Sequence, residues 1–193
     1  MTLDAEFWES LYIQGSTGWD TGSITTPIRD YVNQLKNKEI RILIPGAGNG
    51  YEAEYMFRSG FKNVFVLDFA HRPLESFQMR VPEFPAENLI ERDFFAMSGQ
   101  FDLIIEQTFF CSLHPGLRRN YAEKMFDLLV PGGKLAGVLF DTFVGNDHPP
   151  FGGTPAEYKS HFEKLFTFKV FERCHNSIKP RQGTEIFIIL ERN

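Results

Sequence analysis

Apolar positions along this chain follow two rhythms. Short, nearly continuous apolar runs occur at Ile40 to Ile44, Val64 to Asp68, Asn88 to Glu91, Phe101 to Gln107 and Lys134 to Phe140. Rich in β-branched residues or Phe, each reads as a strand buried on both faces. Between them the spacing becomes helical: Leu117, Tyr121, Met125 and Leu128 share one face of a helix predicted from about Gly116 to Leu129. Parallel neighbours need helical crossovers, so this alternation implies a mainly parallel sheet covered on both faces. Thr154, Pro155 and Glu157 supply an N-cap, a first-turn proline and a capping-box glutamate for a further helix, expected to end near Phe166. Beyond it, Phe168 to Cys174 and Glu185 to Glu191 are strand-like and joined only by HNSIKPRQGT, which leaves no room for a crossover. They should pair antiparallel. The expected fold class is α/β: a Rossmann-like, doubly wound sheet of seven strands, mainly parallel, closed by a C-terminal antiparallel hairpin.

Composition narrows this picture. With 193 residues, 42% of them hydrophobic, the chain is the size of a single domain spanning residues 1 to 193. Most of the 21 phenylalanines sit inside apolar runs and read as core filling. A net charge of −5 with dispersed Lys and Arg argues against a nucleic-acid partner. Cys111 and Cys174 have no neighbours at metal-ligand spacing, so neither a disulfide framework nor a metal site is expected, and a reducing cytoplasm fits. The opening MTLDAEFWES lacks the basic-then-apolar pattern of a signal peptide, and no run is long enough to span a membrane.

The candidate chemistry centres on IRILIPGAGNGY, where the first strand runs into Gly46, Gly48 and Gly50 and then a helix beginning near Tyr51. Glycines there let the backbone turn tightly and approach a ligand. A dinucleotide-binding loop wants its third glycine where Tyr51 stands. The G-x-G-x-G spacing therefore favours S-adenosylmethionine over NAD. The second strand ends at Asp68, placed to accept hydrogen bonds from two ribose hydroxyls. The third leads to Asp93 and Phe94, suited to an adenine amino group and ring, although Asp93 also fits a turn cap. The fourth ends at Glu106 and Gln107. In a parallel sheet all these ends share one edge, beside the crevice where ligands bind.

Four segments together resemble the thiopurine S-methyltransferase superfamily, which includes the halide and thiocyanate methyltransferases. They are FWESLYIQGSTGWD, IPGAGNGYEAEY with Asp68 downstream, QTFFCSLHPGLRRNYAEKMFDLLVPGG, and HPPF ending at Phe151. The resemblance covers nearly the whole chain and implies the class I methyltransferase fold and S-adenosylmethionine as cofactor. It implies that Trp8, Tyr12 and Trp19, in a lid of about residues 1 to 25, close over the cofactor. It places Gly46 at the methionine end, Asp68 at the ribose, Asp93 and Phe94 at the adenine, and Glu106 or Gln107 nearby. Tyr12 stands where a Trp is frequent. A sulfonium is attracted to aromatic faces and needs shielding from water, while Trp8 and Tyr12, four residues apart, also fit a helix's core stripe.

On the acceptor side, the resemblance sets Arg118 near the pocket as a substrate-positioning cation, and Arg181 in the hairpin loop is a second candidate. Phe151 stands where some halide and thiocyanate members carry a Tyr, which removes a phenolic contact. His114 and Cys111 form no recognisable base and nucleophile pair and read as turn or core residues. The expected reaction is direct transfer of the methyl group to a small soft nucleophile, most simply a thiolate. Halide, thiocyanate or metalloid acceptors remain alternatives, as do a nucleotide-dependent oxidoreductase and a noncatalytic cofactor-binding protein. The expected partner is a small-molecule acceptor, not a nucleic acid or a membrane; the number of subunits is left open, a monomer included.

Overall fold

The computed structural model describes residues 2–142 and 147–193. Its centre is one seven-stranded sheet: β1 (Arg41–Pro45), β2 (Asn63–Asp68), β3 (Leu89–Glu91), β4 (Phe101–Gln107), β5 (Leu129–Phe140), β6 (Phe166–Arg173) and β7 (Glu185–Arg192), in the order β3-β2-β1-β4-β5-β7-β6. β1 to β5 are mutually parallel, and β7 pairs antiparallel with both β5 and β6. From β1 the chain winds outward to β2 and β3, then returns to place β4 on the other side of β1. The loops therefore diverge between β1 and β4, and that divergence opens a crevice at the strands' C-terminal ends.

Among the described residues six α-helices accompany the sheet: α1 (Ala5–Ile13), α2 (Thr26–Val32), α3 (Tyr51–Arg58), α4 (His71–Arg80), α5 (Arg118–Leu128) and α6 (Pro155–Phe162). Alternate strand residues serve opposite faces. Ile42, Ile44, Leu103 and Ile105 pack with Ile28 and Val32 of α2, Met56 of α3 and Phe77 of α4. Leu43 and Ile104 instead join Tyr121 and Met125 of α5 and Tyr158 and Phe162 of α6. Both faces are thus buried, which explains why the central strands read as continuous apolar runs.

Several boundaries differ from the sequence reading. The α5 helix begins at Arg118 because Pro115–Leu117 form a separate 3₁₀ turn, which leaves Leu117 39% exposed and off the buried face. β5 begins at Leu129, earlier than the expected Lys134, and takes in Pro131-Gly132-Gly133, where the register slips between Phe101 and Leu103 of the neighbouring strand. α6 stops at Phe162, and Phe166 already belongs to β6, paired with Arg192. Phe162 and Phe166 are spaced like helix neighbours, but their rings meet 5.9 Å apart from two different elements. The α6 cap also differs: Thr154 accepts from the Glu157 amide as expected, but the Glu157 carboxylate turns to Arg118.

Gly137 of β5 lies hard against β4. A Cβ added at Gly137 would lie 1.9 Å from the backbone oxygen of Glu106, and two paired strands cannot both yield. Gly137→Ala should therefore destabilise the fold by at least about 1–3 kcal/mol, a fall of several degrees in melting temperature. Thermal unfolding checks this, and an unchanged transition would show that the strands can part.

Candidate active site

The crevice is a cavity of about 710 Å³ that lies across the C-terminal ends of β1, β2 and β4, beneath the N-terminal segment. That size suits a small-molecule or cofactor site. Its floor is the glycine loop between β1 and α3. Gly46, Gly48 and Gly50 all have positive φ, but they do different work. A Cβ on Gly46 would strike the Phe109 ring at 2.1 Å, and one on Gly48 would lie 2.7 Å from the Tyr12 hydroxyl. Both glycines line the cavity. Gly50, expected at the ligand, is instead the left-handed residue that starts α3, packed against Phe77 and away from the cavity wall.

Asp68 lines the cavity and fixes the glycine loop. One carboxylate oxygen accepts from Gly48 N at 2.9 Å and the other from Ala70 N at 3.0 Å. Burial pushes its carboxyl above the usual carboxylate range, and these amide donors pull it back. Each oxygen keeps a further lone pair for a ligand. Asp93 and Phe94 also line the wall. The Asp93 carboxylate caps the following 3₁₀ turn, as the turn-cap reading expected, by accepting from Phe95 N at 2.8 Å.

Glu106 and Gln107 separate cleanly. Gln107 lines the cavity, its side-chain oxygen accepting from the Thr25 hydroxyl at 2.7 Å. Glu106 points the other way and is fully buried outside the cavity wall. Its Oε1 accepts from Phe109 N and Phe110 N at 2.8 and 2.9 Å, and Oε2 accepts from the Tyr121 hydroxyl at 2.5 Å. Alternation along β4 dictates this, because adjacent residues face opposite sides of the sheet. Glu106 is thus a brace for the loop after β4, and its carboxyl is pushed up to about 7 by burial.

The roof comes from α1 and the turn after it. Trp8 and Tyr12 each meet the Trp19 ring edge-on, at 5.4 and 5.8 Å between centroids. All three line the cavity, and α1 has no buried residue, so it does not present a core stripe. Arg181 ties this roof to the hairpin between β6 and β7 by donating to the Trp19 carbonyl at 2.8 Å. Asp20 ties it to the glycine loop through Asn49 and Tyr51. Sequence reasoning singled out neither Asp20, Asn49 nor Glu52 as cavity residues. Glu52 carried a signal, since it lies on the α3 face that buries Ala53 and Met56.

Two acceptor-side residues lie elsewhere than expected. Arg118 is 2% exposed and off the cavity wall. Its guanidinium donates to Glu157 Oε1 at 2.5 Å and to the carbonyls of Phe151 and Gly152 at 3.3 and 2.7 Å, and it lies over the rings of Phe110 and Tyr158. So placed, Arg118 holds the segment before α6, and its one unpaired donor, Nε, is buried away from the cavity wall. Phe151 is buried beneath that segment, its ring edge-on to His114, and is also off the wall. His114 caps its own turn, accepting from Gly116 N. Cys111 does line the cavity, but burial pushes its thiol well above the normal range. Arg181 is the expected acceptor-side cation that the structure sets on the wall.

A glycine cradle, a strand-end carboxylate, an aromatic roof and a seven-stranded sheet ending in an antiparallel hairpin define a class I, S-adenosylmethionine-dependent methyltransferase. The cavity's acids, Asp20, Glu52, Asp68 and Asp93, outnumber its arginines, Arg92 and Arg181, which suits a cationic cofactor. Residues 3–190 match the thiopurine S-methyltransferase family, and the chain belongs to it. It is 31% identical over 185 residues to a probable thiol methyltransferase 2 of Arabidopsis thaliana, covering 92% of this chain and 81% of that one. It is 27% identical over 190 residues to thiocyanate methyltransferase 1 of Brassica oleracea, covering 95% and 84%. In fold it resembles the 1,6-didemethyltoxoflavin-N1-methyltransferase of Burkholderia thailandensis, solved with S-adenosylhomocysteine, at a TM-score of 0.76 and 18% identity, covering 99% and 87%.

Glu106 and Arg118 generate opposite expectations from those of ligand contacts. Because the Glu106 carboxyl titrates higher in the folded state than the ordinary 4.5, its contribution to stability is complete below that value and is lost as pH rises through about 7. Glu106→Gln keeps an oxygen for the two amides and a donor for Tyr121. It should flatten the fall in stability between about pH 5 and 8, a difference of at most about 3 kcal/mol, read from denaturant unfolding at several pH values. Arg118→Met should cost roughly 2 kcal/mol or more, less than a fully buried pair because Glu157 is partly solvated. It should lower kcat/KM for anionic and neutral acceptors alike. A loss confined to anionic acceptors would return Arg118 to the substrate.

Proposed function

We propose that this chain transfers the methyl group of S-adenosylmethionine to a small soft nucleophile, most simply a thiol or a thiocyanate-type anion, within a single domain. The observation that carries the reading is the contrast between the two ends of the cavity. The wall built from β1 to β3 carries the glycine loop, Asp68 and Asp93. The wall near β4 and β5 carries Cys111, Ser112, Leu113, Leu117 and Phe140, with Pro149 and Pro150 at its edge and no carboxylate among them. An apolar surface without acids packs against the carbon skeleton of a soft nucleophile and does not repel its charge, while the charge itself needs a cationic neighbour. The named thiol and thiocyanate methyltransferases among the relatives support the same acceptor class.

In this reading Asp68 accepts from the ribose hydroxyls, Phe94 lies along the adenine with Asp93 at its amino group, and Gly46, Gly48 and Gln107 line the methionine end. The cofactor supplies an electrophilic methyl group. The chain's own contribution is exclusion of water by Trp8, Tyr12 and Trp19, whose aromatic faces suit a cation, and positioning of the acceptor. A thiol of low pKa arrives partly ionised, and Arg181, on the wall beneath Trp19, is the cation nearest to that task. Its charge is shared with Glu185, 3.6 Å away. The enclosed site and net charge of −5 support a small molecule over a nucleic acid. No described helix is long and apolar enough to cross a membrane, and two free cysteines fit a reducing cytoplasm.

Incubating the protein and S-adenosylmethionine with aromatic and aliphatic thiols, hydrosulfide, thiocyanate, halides and metalloid anions should give methylated thiols or methyl thiocyanate, identified by mass spectrometry. Methylation of RNA, DNA or protein with no product from the small-molecule panel would overturn the reading.

A further inference from the structure

Glu52 is a buried carboxyl whose only hydrogen-bond donor among the described residues is its own backbone amide. It sits in the first turn of α3, two residues after Gly50, and is 6% exposed while lining the cavity. Among the described residues, no side chain hydrogen-bonds or ion-pairs with it. The charged groups acting on it are Arg181, which lowers its affinity for a proton but hydrogen-bonds the Trp19 carbonyl and shares its charge with Glu185 at 3.6 Å, and Asp20, which bonds Asn49 and Tyr51. Burial pushes its carboxyl up to about 7. A carboxyl in such a place is costly unless a ligand brings a positive charge and donors to it.

Glu52 lines the same cavity as Gly46 and Gly48, against which the cofactor assignment sets the amino-acid end of S-adenosylmethionine. S-adenosylmethionine carries two positive groups. The sulfonium has no N–H to donate, and the adenine amino group and ribose hydroxyls are neutral. The α-ammonium alone offers both charge and hydrogen-bond donors. We propose that Glu52 accepts the α-ammonium of the cofactor's amino-acid end and so selects a cofactor that carries it. The inference rests on the cofactor assignment above. A thiol acceptor would make Glu52 a proton acceptor instead, and the pH profile of turnover separates the two roles.

The test is a calorimetric cycle with two ligands, S-adenosylhomocysteine and its deaminated analogue, which keeps the carboxylate and loses the amino group. The wild-type protein should prefer S-adenosylhomocysteine by about tenfold or more, as expected for a charge-assisted hydrogen bond. Glu52→Gln should erase that preference and leave the analogue's Kd within about twofold. Glu52→Met, of similar length without a polar group, should do the same, and removal of a buried carboxyl should leave both variants at least as thermally stable. Equal weakening of both ligands, or no change in either, would overturn the proposal. So would an unchanged S-adenosylhomocysteine Kd with an altered acid limb of kcat for neutral thiols, which would make Glu52 the base. Failure of the wild-type protein to bind S-adenosylhomocysteine would instead remove the cofactor assignment itself.

Discussion

The site depends first on the buried carboxyl of Glu106. From the end of β4 it accepts from two successive amides, Phe109 and Phe110, and from the hydroxyl of Tyr121 on α5. Those contacts fix the path of the chain as it leaves the sheet. Phe109 is thereby held over Gly46, closer than any side chain there would allow, and edge-on to Phe94 at 5.1 Å. The floor of the cavity and the aromatic surface on the β3 side are therefore set by one anchored loop. Thr108, immediately before Phe109, adopts a φ of 61°, a costly conformation for a β-branched residue. The anchored amides after it keep the chain in that path.

A second buried polar group does for the opposite side of the cavity what Glu106 does for its floor. Arg118 gathers the Phe151 and Gly152 carbonyls and the Glu157 carboxylate around one guanidinium, sandwiched by Phe110 and Tyr158. Phe110 is itself held by Glu106, so the two networks share a residue. The apolar acceptor wall is consequently stiffened by polar groups that do not touch it. The carboxylates of the cavity, in contrast, remain available to a ligand: Asp68 keeps a free lone pair, and Glu52 is bonded by no other residue's side chain among the described residues.

Much of this was legible along the chain. The strands and the order of parallel and antiparallel segments lie where spacing put them, and Gly46, Asp68, Asp93, Phe94 and the N-terminal aromatics all line one cavity. Local rules suffice there, because strand alternation, helix periodicity and glycine's access to positive φ act over a few residues. Legibility failed where one motif held two roles. Glu106 and Gln107 are adjacent candidates at a strand end, and only the pleat sends one into the cavity and the other into the core. Gly46, Gly48 and Gly50 look alike in sequence, but the third meets Phe77, not the ligand.

The sequence by itself determined the class of sheet, the edge on which ligand groups gather and the family, because these follow from periodicity and from short motifs whose geometry is local. Only the tertiary structure decided which polar side chains face the cavity and which brace it. Arg118 and Glu157 lie 39 residues apart in the chain, as do no two members of any motif, and their pairing depends on α5 and α6 packing side by side. Arg181 meets Trp19 across 162 residues. Whether a charged residue binds a ligand or a neighbour is settled by what packs against it, and that is a property of the folded chain.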